Sequence, residues 1–127
     1  MKFLGIDPGT RYVGLAMADE QVKIAMPYQV LDIKDQNLLF QELEKIVAKE
    51  KIQKIIVGYP LGMSGKPTEQ TKITEQFVKE LKEFLNVPII RFDERLSSKM
   101  VDKMSFNKNK NHAGAASIIL QDYLDKN

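Results

Sequence analysis

Two short apolar runs open the chain, at residues 2–7 and 12–18, and the polar turn Pro-Gly-Thr-Arg separates them. Runs of this length around a glycine-containing turn predict two strands joined as a hairpin. A third apolar-rich run, at residues 22–31, contains Pro27, which cannot donate to a strand ladder and therefore suits an edge strand or a bulge. The pattern predicts that three antiparallel strands begin the fold.

Helical and strand patterns alternate in the next part of the chain. Between residues 36 and 51 the apolar residues recur every three or four positions, which is typical of an amphipathic helix. Residues 54–58 then form a short apolar run that predicts a strand, followed by Tyr-Pro and a glycine-containing loop. The helical period returns from Ile73 to Asn86, and residues 88–92 predict the next strand.

The C-terminal part is predicted to form a short helix ending near Met104, a polar loop at residues 105–111 and a last helix with one apolar face. The order is βββαβαβα with one extra short helix. Because parallel neighbours need crossover connections, the alternation favours parallel pairing in the second half. We therefore predict the α/β class, with a mixed five-stranded sheet, three antiparallel strands followed by parallel ones, flanked by helices. A length of 127 residues fits a single domain, residues 1–127.

Composition restricts the chemistry more than it identifies partners. Hydrophobic residues make up 43% and charged residues 28% of the chain, which is typical of a folded globular protein. The absence of cysteine excludes thiolate metal sites and thiol nucleophiles, so catalysis must use carboxylates, hydroxyls, lysines, the single His112 or a metal. The net charge of +2 names no partner. We see neither the apolar segment of a signal peptide nor a membrane-spanning run, so we expect a cytoplasmic protein without membrane association.

Acidic residues directly follow two of the predicted strands. Asp7 ends the first strand, and Asp93 and Glu94 follow the fifth. Ligands of such sheets bind beyond the carboxyl ends of the parallel strands, which makes these acids candidates for a site. If the first strand pairs between the fourth and the fifth, Asp7 and Glu94 could reach the same metal ion. Structural alternatives stay open: Asp7 could shape an Asp-Pro-Gly turn, and Glu94 could face a helix dipole.

Two converging carboxylates would repel each other unless a cation lay between them. Carboxylate oxygens suit Mg²⁺ or Mn²⁺, and Mg²⁺ typically combines one or two protein acids with substrate phosphate oxygens. Paired metal ions stabilise both the attacking and the leaving oxygen of an in-line displacement. The reaction that this pair of acids predicts is hydrolysis of a phosphodiester bond.

Polar residues next to these acids are candidates for binding phosphate. Thr10 and Arg11 add a hydroxyl and a guanidinium to the flexible turn after the first strand. Arg95 could bind a phosphate through two hydrogen bonds, or it could pair with a neighbouring acid. Ser97 and Ser98 are interpreted as helix caps rather than nucleophiles, because activation of water by a metal needs no serine.

Four motifs, spread over nearly the whole chain, resemble those of the YqgF family of Holliday junction resolvases. They are Gly-Ile-Asp-Pro-Gly-Thr-Arg at 5–11 with Val-Gly-Leu-Ala at 13–16, Gly-Tyr-Pro-Leu at 58–61 with Gly65, Asp-Glu-Arg-Leu-Ser-Ser at 93–98, and Ala-Ala at 115–116 before Ile-Ile-Leu-Gln at 118–121. The first motif is loosely shared with actin-like ATPases, whereas the third is specific at this spacing. The order of the motifs is that of the family.

The resemblance implies an RNase H-like fold, a nuclease site with divalent metal, Mg²⁺ or Mn²⁺, and a role in trimming the 5′ end of pre-16S rRNA during ribosome biogenesis. By position, it implies that Asp7 and Glu94 are the metal-binding acids. Arg11, Arg95 and Lys99 would then contact the nucleic-acid backbone, with Thr10 beside them.

The chain departs from the family pattern at one position that matters for this site. The family's third acid is expected just before the alanine pair of the last helix, where this chain has His112. A neutral imidazole can bind Mn²⁺ and can transfer protons near neutral pH. His112 is therefore a candidate catalytic residue, and the alternatives are that it marks weakened catalysis or is simply structural.

The leading hypothesis is a metal-dependent nuclease acting on structured RNA, with the pre-ribosomal particle as a candidate partner. One alternative is a resolvase acting on branched DNA, which would favour a two-fold homodimer, whereas RNA trimming is compatible with a monomer. Another is a nucleic-acid-binding module that kept the fold and lost efficient catalysis. An actin-like ATPase would need two such lobes, and 127 residues argue against it.

Overall fold

The computed structural model describes residues 1–9, 11–32, 34–59, 69–93 and 112–126. Within these ranges the strands are β1 (Lys2–Pro8), β2 (Tyr12–Asp19), β3 (Ala25–Asp32), β4 (Ile52–Tyr59) and β5 (Ile89–Asp93). The helices are α1 (Gln36–Glu50), α2 (Glu69–Phe84) and α3 (His112–Lys126). The predicted short helix ending near Met104 and the polar loop after it lie outside the described residues.

The five strands form one mixed sheet in the order β3-β2-β1-β4-β5. β1 pairs antiparallel with β2, and β2 pairs antiparallel with β3. β4 runs parallel to both β1 and β5. The predicted fold class, three antiparallel strands followed by parallel ones, is confirmed.

The strand order bears on the condition under which Asp7 and Glu94 could reach the same metal ion. β1 does not lie between the other two parallel strands; β4 lies between β1 and β5. The central position suits β4 because Ile55, Ile56 and Val57 are fully buried and point alternately to both faces of the sheet. β5 is short and occupies the edge, where Arg91 is half exposed and pairs with Glu75 at 3.8 Å.

The edge strand β3 begins later than its apolar pattern predicts, at Ala25 rather than Val22. The preceding residues form a turn in which the Lys23 amide donates to the Asp19 carbonyl oxygen at 2.8 Å, with Lys23 at a φ of 58°. Pro27 lies where the register with β2 shifts, at an irregularity of the edge strand. Its predicted place, at an edge or a bulge, is confirmed.

The helices cover the two faces of the sheet separately. α1 and α2 pack on one face, and their core cluster includes Leu4, Ile6, Val13, Leu15, Leu43, Ile55, Val57 and Leu81. α3 packs on the other face in a second cluster that includes Phe3, Ala16, Ile56, Ala116, Leu120 and Tyr123. None of the three described helices is long and apolar enough to cross a membrane.

Helix α2 begins at Glu69, earlier than the predicted Ile73, and it ends at Phe84. Its first buried positions are Thr71 and Thr74, both 0% exposed. The burial therefore follows the helical period from the first turn, but the side chains are polar there. An apolar pattern cannot detect a helix turn that buries threonines.

Helix α1 has a regular start and a strained end. The Asp35 side chain caps its N-terminus by accepting from the amides of Asn37 at 2.9 Å and Leu38 at 3.3 Å. Lys51 ends it in the left-handed conformation, at φ 55° and ψ 48°, and donates its amide to the Val47 carbonyl. Glycine is the residue that adopts this conformation without a clash at Cβ.

We expect Lys51→Gly to raise the free energy of unfolding by about 0.5–1 kcal/mol, because it removes the cost of a left-handed non-glycine residue. Urea titration followed by circular dichroism measures the change. The matched control is Lys49→Gly, in the last turn of α1, which should lower the free energy of unfolding by about 1 kcal/mol. Equal decreases in the free energy of unfolding of the two variants would contradict the left-handed conformation of Lys51.

Candidate active site

The candidate site lies at the edge of the sheet that is formed by the ends of the strands, not along an edge strand. Several chain segments begin or end there. β1 and β4 are parallel, so their carboxyl ends, at Pro8 and Tyr59, reach the same edge, and the antiparallel β2 starts there at Tyr12. Asp7 is half-buried, one residue before the end of β1. This places the first predicted acid at the edge where sheets of this kind bind ligands.

The alternation of side chains along β1 gives Asp7 a definite face. Phe3 packs in the α3 cluster, and a Cβ atom added at Gly5 would lie 2.8 Å from the Cβ of Leu120 in α3. Leu4 and Ile6 belong to the opposite cluster. Because strand side chains alternate with a period of two, Asp7 shares the face that α3 covers.

The start of α3 lies against this same part of the sheet. Gly14 of β2 is the direct partner of Asp7 in the antiparallel register. A Cβ atom added at Gly14 would overlap the carbonyl oxygen of His112, the first residue of α3. The absence of a side chain at Gly14 thus lets the helix backbone touch the strand. The structure brings together Asp7 and His112, which are far apart in sequence.

The His112 side chain lies over the β1–β2 turn. Its ring centroid is 5.6 Å from that of Tyr12, with the two planes inclined by 41°. A Cβ atom added at Gly9 would lie 3.7 Å from the His112 Cε1 atom. The exposed Arg11 places its guanidinium carbon 5.2 Å from the Tyr12 ring centroid, a cation–π distance. Tyr12 therefore contacts both the predicted histidine and the predicted arginine.

The turn that carries these groups is tight. The Gly9 amide donates to the Tyr12 carbonyl oxygen at 2.9 Å, and a Cβ atom at Gly9 would overlap that same oxygen. The turn therefore needs glycine at this position. Its closure fixes Tyr12, and with it the surface on which His112 rests.

Four predicted site residues, Thr10, Glu94, Arg95 and Lys99, lie outside the described residues. The strand order sets the distance that a site shared by Asp7 and Glu94 must span. β5 ends at Asp93, directly before Glu94 in the sequence, and β4 separates β5 from β1. Neighbouring strands are about 4.8 Å apart, so the ends of β1 and β5 are separated by about 10 Å. Side chains that bridge this gap must reach across the end of β4.

The donor atoms at this edge suit a hard divalent cation in part. Asp7 offers carboxylate oxygens, the ligands that Mg²⁺ and Mn²⁺ prefer, and His112 offers an imidazole, which Mn²⁺ accepts more readily than Mg²⁺. In the described part of the chain no three His, Asp or Glu side chains form a group that could hold a metal. Asp7 and His112 are thus two donors that would need a further ligand, and Glu94 is the predicted one.

Two residues that position the site, Tyr12 and Gly14, were not predicted from sequence as parts of it. Gly14 carried a signal, because a glycine inside a strand pattern often marks a close approach of another backbone. Tyr12 carried none, because an aromatic residue at a strand start is ordinary. Only the docking of α3 shows what either residue contacts.

Comparison with known sequences supports the motif resemblance. The sequence model of the family described as "RuvX: Holliday junction resolvase" matches residues 1–126. A protein named "Putative pre-16S rRNA nuclease" from Rickettsia canadensis (strain McKiel) is 34% identical, over 98% of this chain and 86% of its own length. One of the same name from Chloroflexus aggregans (strain MD-66 / DSM 9485) is 35% identical, over 96% of this chain and 92% of its own length.

Two solved structures with the same fold are those of resolvases. The Thermus thermophilus RuvC structure in complex with a Holliday junction substrate matches with a TM-score of 0.62 and 13% identity, covering 99% of this chain and 94% of that chain. The fowlpox virus Holliday junction resolvase matches with a TM-score of 0.58 and 12% identity, and all of both chains is covered. At such low identity the likeness concerns the fold, and it confirms the RNase H-like architecture.

Proposed function

Because the chain belongs to the RuvX (YqgF) family of Holliday junction resolvases, we propose that it is a divalent-metal-dependent nuclease that processes the 5′ end of pre-16S rRNA. Membership in this family assigns it to the hydrolases that act on phosphodiester bonds. The names of its relatives support the RNA substrate. The family match over residues 1–126 supports one nuclease domain spanning residues 1–127. The pre-ribosomal particle and the cytoplasm are the partner and the location that go with this substrate.

The observation that carries the proposal is the contact between the start of α3 and Gly14, the strand partner of Asp7. This contact supports a shared site for His112 and Asp7, an acid more than one hundred residues earlier in the chain, with His112 at the position where the resemblance expects the family's third acid. A site of this kind would combine side chains from β1 and α3.

We assign metal binding to Asp7, Glu94 and His112. A bound Mg²⁺ or Mn²⁺ ion would supply a nucleophilic water at neutral pH and stabilise charge on the phosphate. Asp7 holds a carboxylate at the sheet edge, and Tyr12 fixes the ring plane of His112. Thr10, Arg11, Arg95 and Lys99 are assigned to the nucleic-acid backbone, where cationic side chains position the substrate without reading its sequence.

A second candidate function is resolution of branched DNA, which the description of the matched family favours. A four-way junction has two-fold symmetry, so this activity would favour a homodimer that presents two sites. Trimming of one RNA strand is compatible with a monomer. The oligomeric state in solution therefore bears on the choice of substrate.

The test is cleavage of labelled pre-16S rRNA leader fragments and of a labelled four-way DNA junction, with Mg²⁺ or Mn²⁺, and with linear duplex DNA as the control substrate. We expect cleavage of the leader RNA that EDTA abolishes. Preferential cleavage of the junction would replace the RNA substrate by branched DNA. Binding of either substrate without cleavage under both metals would overturn the nuclease assignment and leave a nucleic-acid-binding module.

Variants of His112 test its role as a ligand through the choice of metal. We expect wild-type protein to cleave faster with Mn²⁺ than with Mg²⁺, and His112→Asp to shift the preference towards Mg²⁺, since Mg²⁺ prefers oxygen. The first turn of α3 contains no acid, so an Asp there also interacts favourably with the helix dipole. His112→Ala should lower the Mn²⁺-supported rate by at least about 10- to 100-fold, since loss of a group that only orients a ligand already costs that much. An unchanged metal preference in His112→Asp would contradict ligation by His112.

A further inference from the structure

A cavity of about 460 Å³ lies on the other side of the β1–β2 turn from the candidate active site. It opens between the first turns of α1 and α2, on the sheet face opposite α3. Val13, Leu39 and Phe77 give it an apolar wall, and Pro8 and Gly9 of the turn close one side. The volume falls within the range of small-ligand sites, about 300–1,000 Å³.

One buried polar group in the cavity wall lacks a partner. Thr74 of α2 is 0% exposed, and its hydroxyl oxygen makes no hydrogen bond within the described part of the chain. Thr71, equally buried one turn earlier, has an interaction partner and does not line the cavity. A buried hydroxyl without a hydrogen bond is unfavourable, and a ligand whose polar edge enters the wall far enough to reach this hydroxyl would remove that cost.

Among the described residues, the rim of the cavity is polar and carries one cation, Lys72. Lys72 is exposed and lines the opening. Glu80, on the far side, accepts hydrogen bonds from the side chains of Gln36 and Gln76, which hold its carboxylate against the wall. Lys72 is thus the charged group of the rim that has no described partner, and it suits a phosphate at the mouth of the cavity.

The cavity shares its wall with the site through two residues. Pro8 and Gly9 line it, and they directly follow Asp7. A nucleic-acid strand whose scissile phosphate lies at Asp7 would enter the cavity by passing over the turn. An apolar slot with a single hydrogen-bonding group inside and a cation at its mouth is suited to an unstacked base and its phosphate.

We infer that this cavity binds one nucleobase of the substrate strand, next to the scissile phosphate, with Thr74 bonding the base edge and Phe77 contacting its ring. The inference rests on the proposed nuclease function and adds a base-binding subsite to it. Thr74 is then a base-binding residue, because its hydroxyl can donate to or accept from the edge of a base. Lys72 positions the adjoining phosphate.

The experiment is a titration of the full chain, in EDTA, with each of the four nucleoside 5′-monophosphates and with ribose 5-phosphate, followed by amide chemical shifts in ¹H–¹⁵N NMR spectra. We expect at least one nucleotide to shift the amides of Gly9, Thr74 and Phe77. Ribose 5-phosphate, which lacks the base, should leave them unshifted. Equal shifts with ribose 5-phosphate, shifts confined to other residues, or no shifts with any nucleotide would overturn the inference.

Variants at Thr74 separate the hydroxyl from the shape of the cavity. Thr74→Val keeps the volume and removes the hydroxyl, so the dissociation constant for the preferred nucleotide should rise about 3- to 10-fold. Thr74→Ser keeps the hydroxyl and should retain binding within about twofold. Thr71→Val is the matched control for loss of a buried threonine hydroxyl outside the cavity, and it should bind like wild-type protein. Equal affinities for Thr74→Val and wild-type protein would contradict the role of Thr74.

These outcomes are distinct from those of the proposed function. Metal-dependent cleavage without nucleotide shifts would refute the subsite and leave the nuclease assignment intact. Nucleotide shifts at Thr74 without cleavage under either metal would refute the nuclease assignment and leave a base-binding cavity.

Discussion

The Asp7→Asn variant is expected to lose cleavage of the pre-16S rRNA leader by at least about a hundredfold while it keeps its fold. Loss of a group that only orients a metal ligand costs about 10- to 100-fold, so loss of a ligand itself should cost at least as much. Asn preserves the shape of the half-buried side chain and removes the negative charge that a hard cation requires. The measurement is the single-turnover rate with Mg²⁺ and with Mn²⁺, beside a circular dichroism spectrum.

The matched control is Asp32→Asn. Asp32 is an exposed acid at the end of β3, and it lies opposite Tyr12 in the register, at the same edge of the sheet. Its replacement removes the same charge at a position two strands away from Asp7. Because a surface substitution of this kind rarely changes stability, the protein should stay folded, and the cleavage rate should stay within about twofold of wild type. Full activity of Asp7→Asn, or an equal loss in both variants, would show that Asp7 is not a metal ligand.

Gly14→Ala is expected to destabilise the protein by about 3 kcal/mol and to lower cleavage at the same time. The added methyl group would overlap the His112 carbonyl oxygen, and it would lie 2.8 Å from the Ala113 amide nitrogen. These are backbone atoms at the start of α3, so neither can rotate away as a side chain would, and overpacking of this kind falls at the upper end of its usual cost. Relief of the overlap must move the start of α3, and with it His112, away from Asp7.

Urea unfolding gives the stability of Gly14→Ala, and the single-turnover rate under folding conditions gives its activity. Gln29→Ala, an exposed change on the neighbouring strand, is the control and should leave both quantities near wild type. Gly5→Ala offers a graded comparison, because its methyl group would meet the Leu120 Cβ at 2.8 Å and the Ala116 carbonyl oxygen at 3.1 Å, further down α3. We expect it to lower stability and to affect the rate less than Gly14→Ala. A folded, fully active Gly14→Ala protein would contradict the docking of α3 described above.

The metal preference of the His112 variants can be compared with the cleavage rates of the two glycine variants. The comparison distinguishes a change of metal ligand from a displacement of α3. His112→Asp changes the donor atom and leaves the backbone of α3 in place. Gly14→Ala leaves the donor atom and moves the backbone. A site built from β1 and α3 should respond to both changes, with a change of metal preference in the first and a loss of rate under both metals in the second.

The sequence by itself determined the elements and the residue types of the site. Apolar periods of two and of about 3.6 residues are local properties, so five strands and the helices between them could be located with errors of a few residues. The largest error, the start of α2, arose where Thr71 and Thr74 occupy buried positions without an apolar side chain. The motif around Asp7 also predicted the acid at the end of β1, since its position after an apolar run is written in the chain.

Only the tertiary structure decided which elements are neighbours. The apolar runs of β1 and β4 do not specify which of them lies next to β5, because strand pairing depends on contacts between distant segments, and the central position of β4 emerges only in the folded sheet. The contact of Gly14 with His112 and the unpartnered hydroxyl of Thr74 likewise exist only once α3 and α2 pack on opposite faces of the sheet. A local pattern fixes the face that a helix buries, whereas the residue that this face meets depends on the packing of the whole chain.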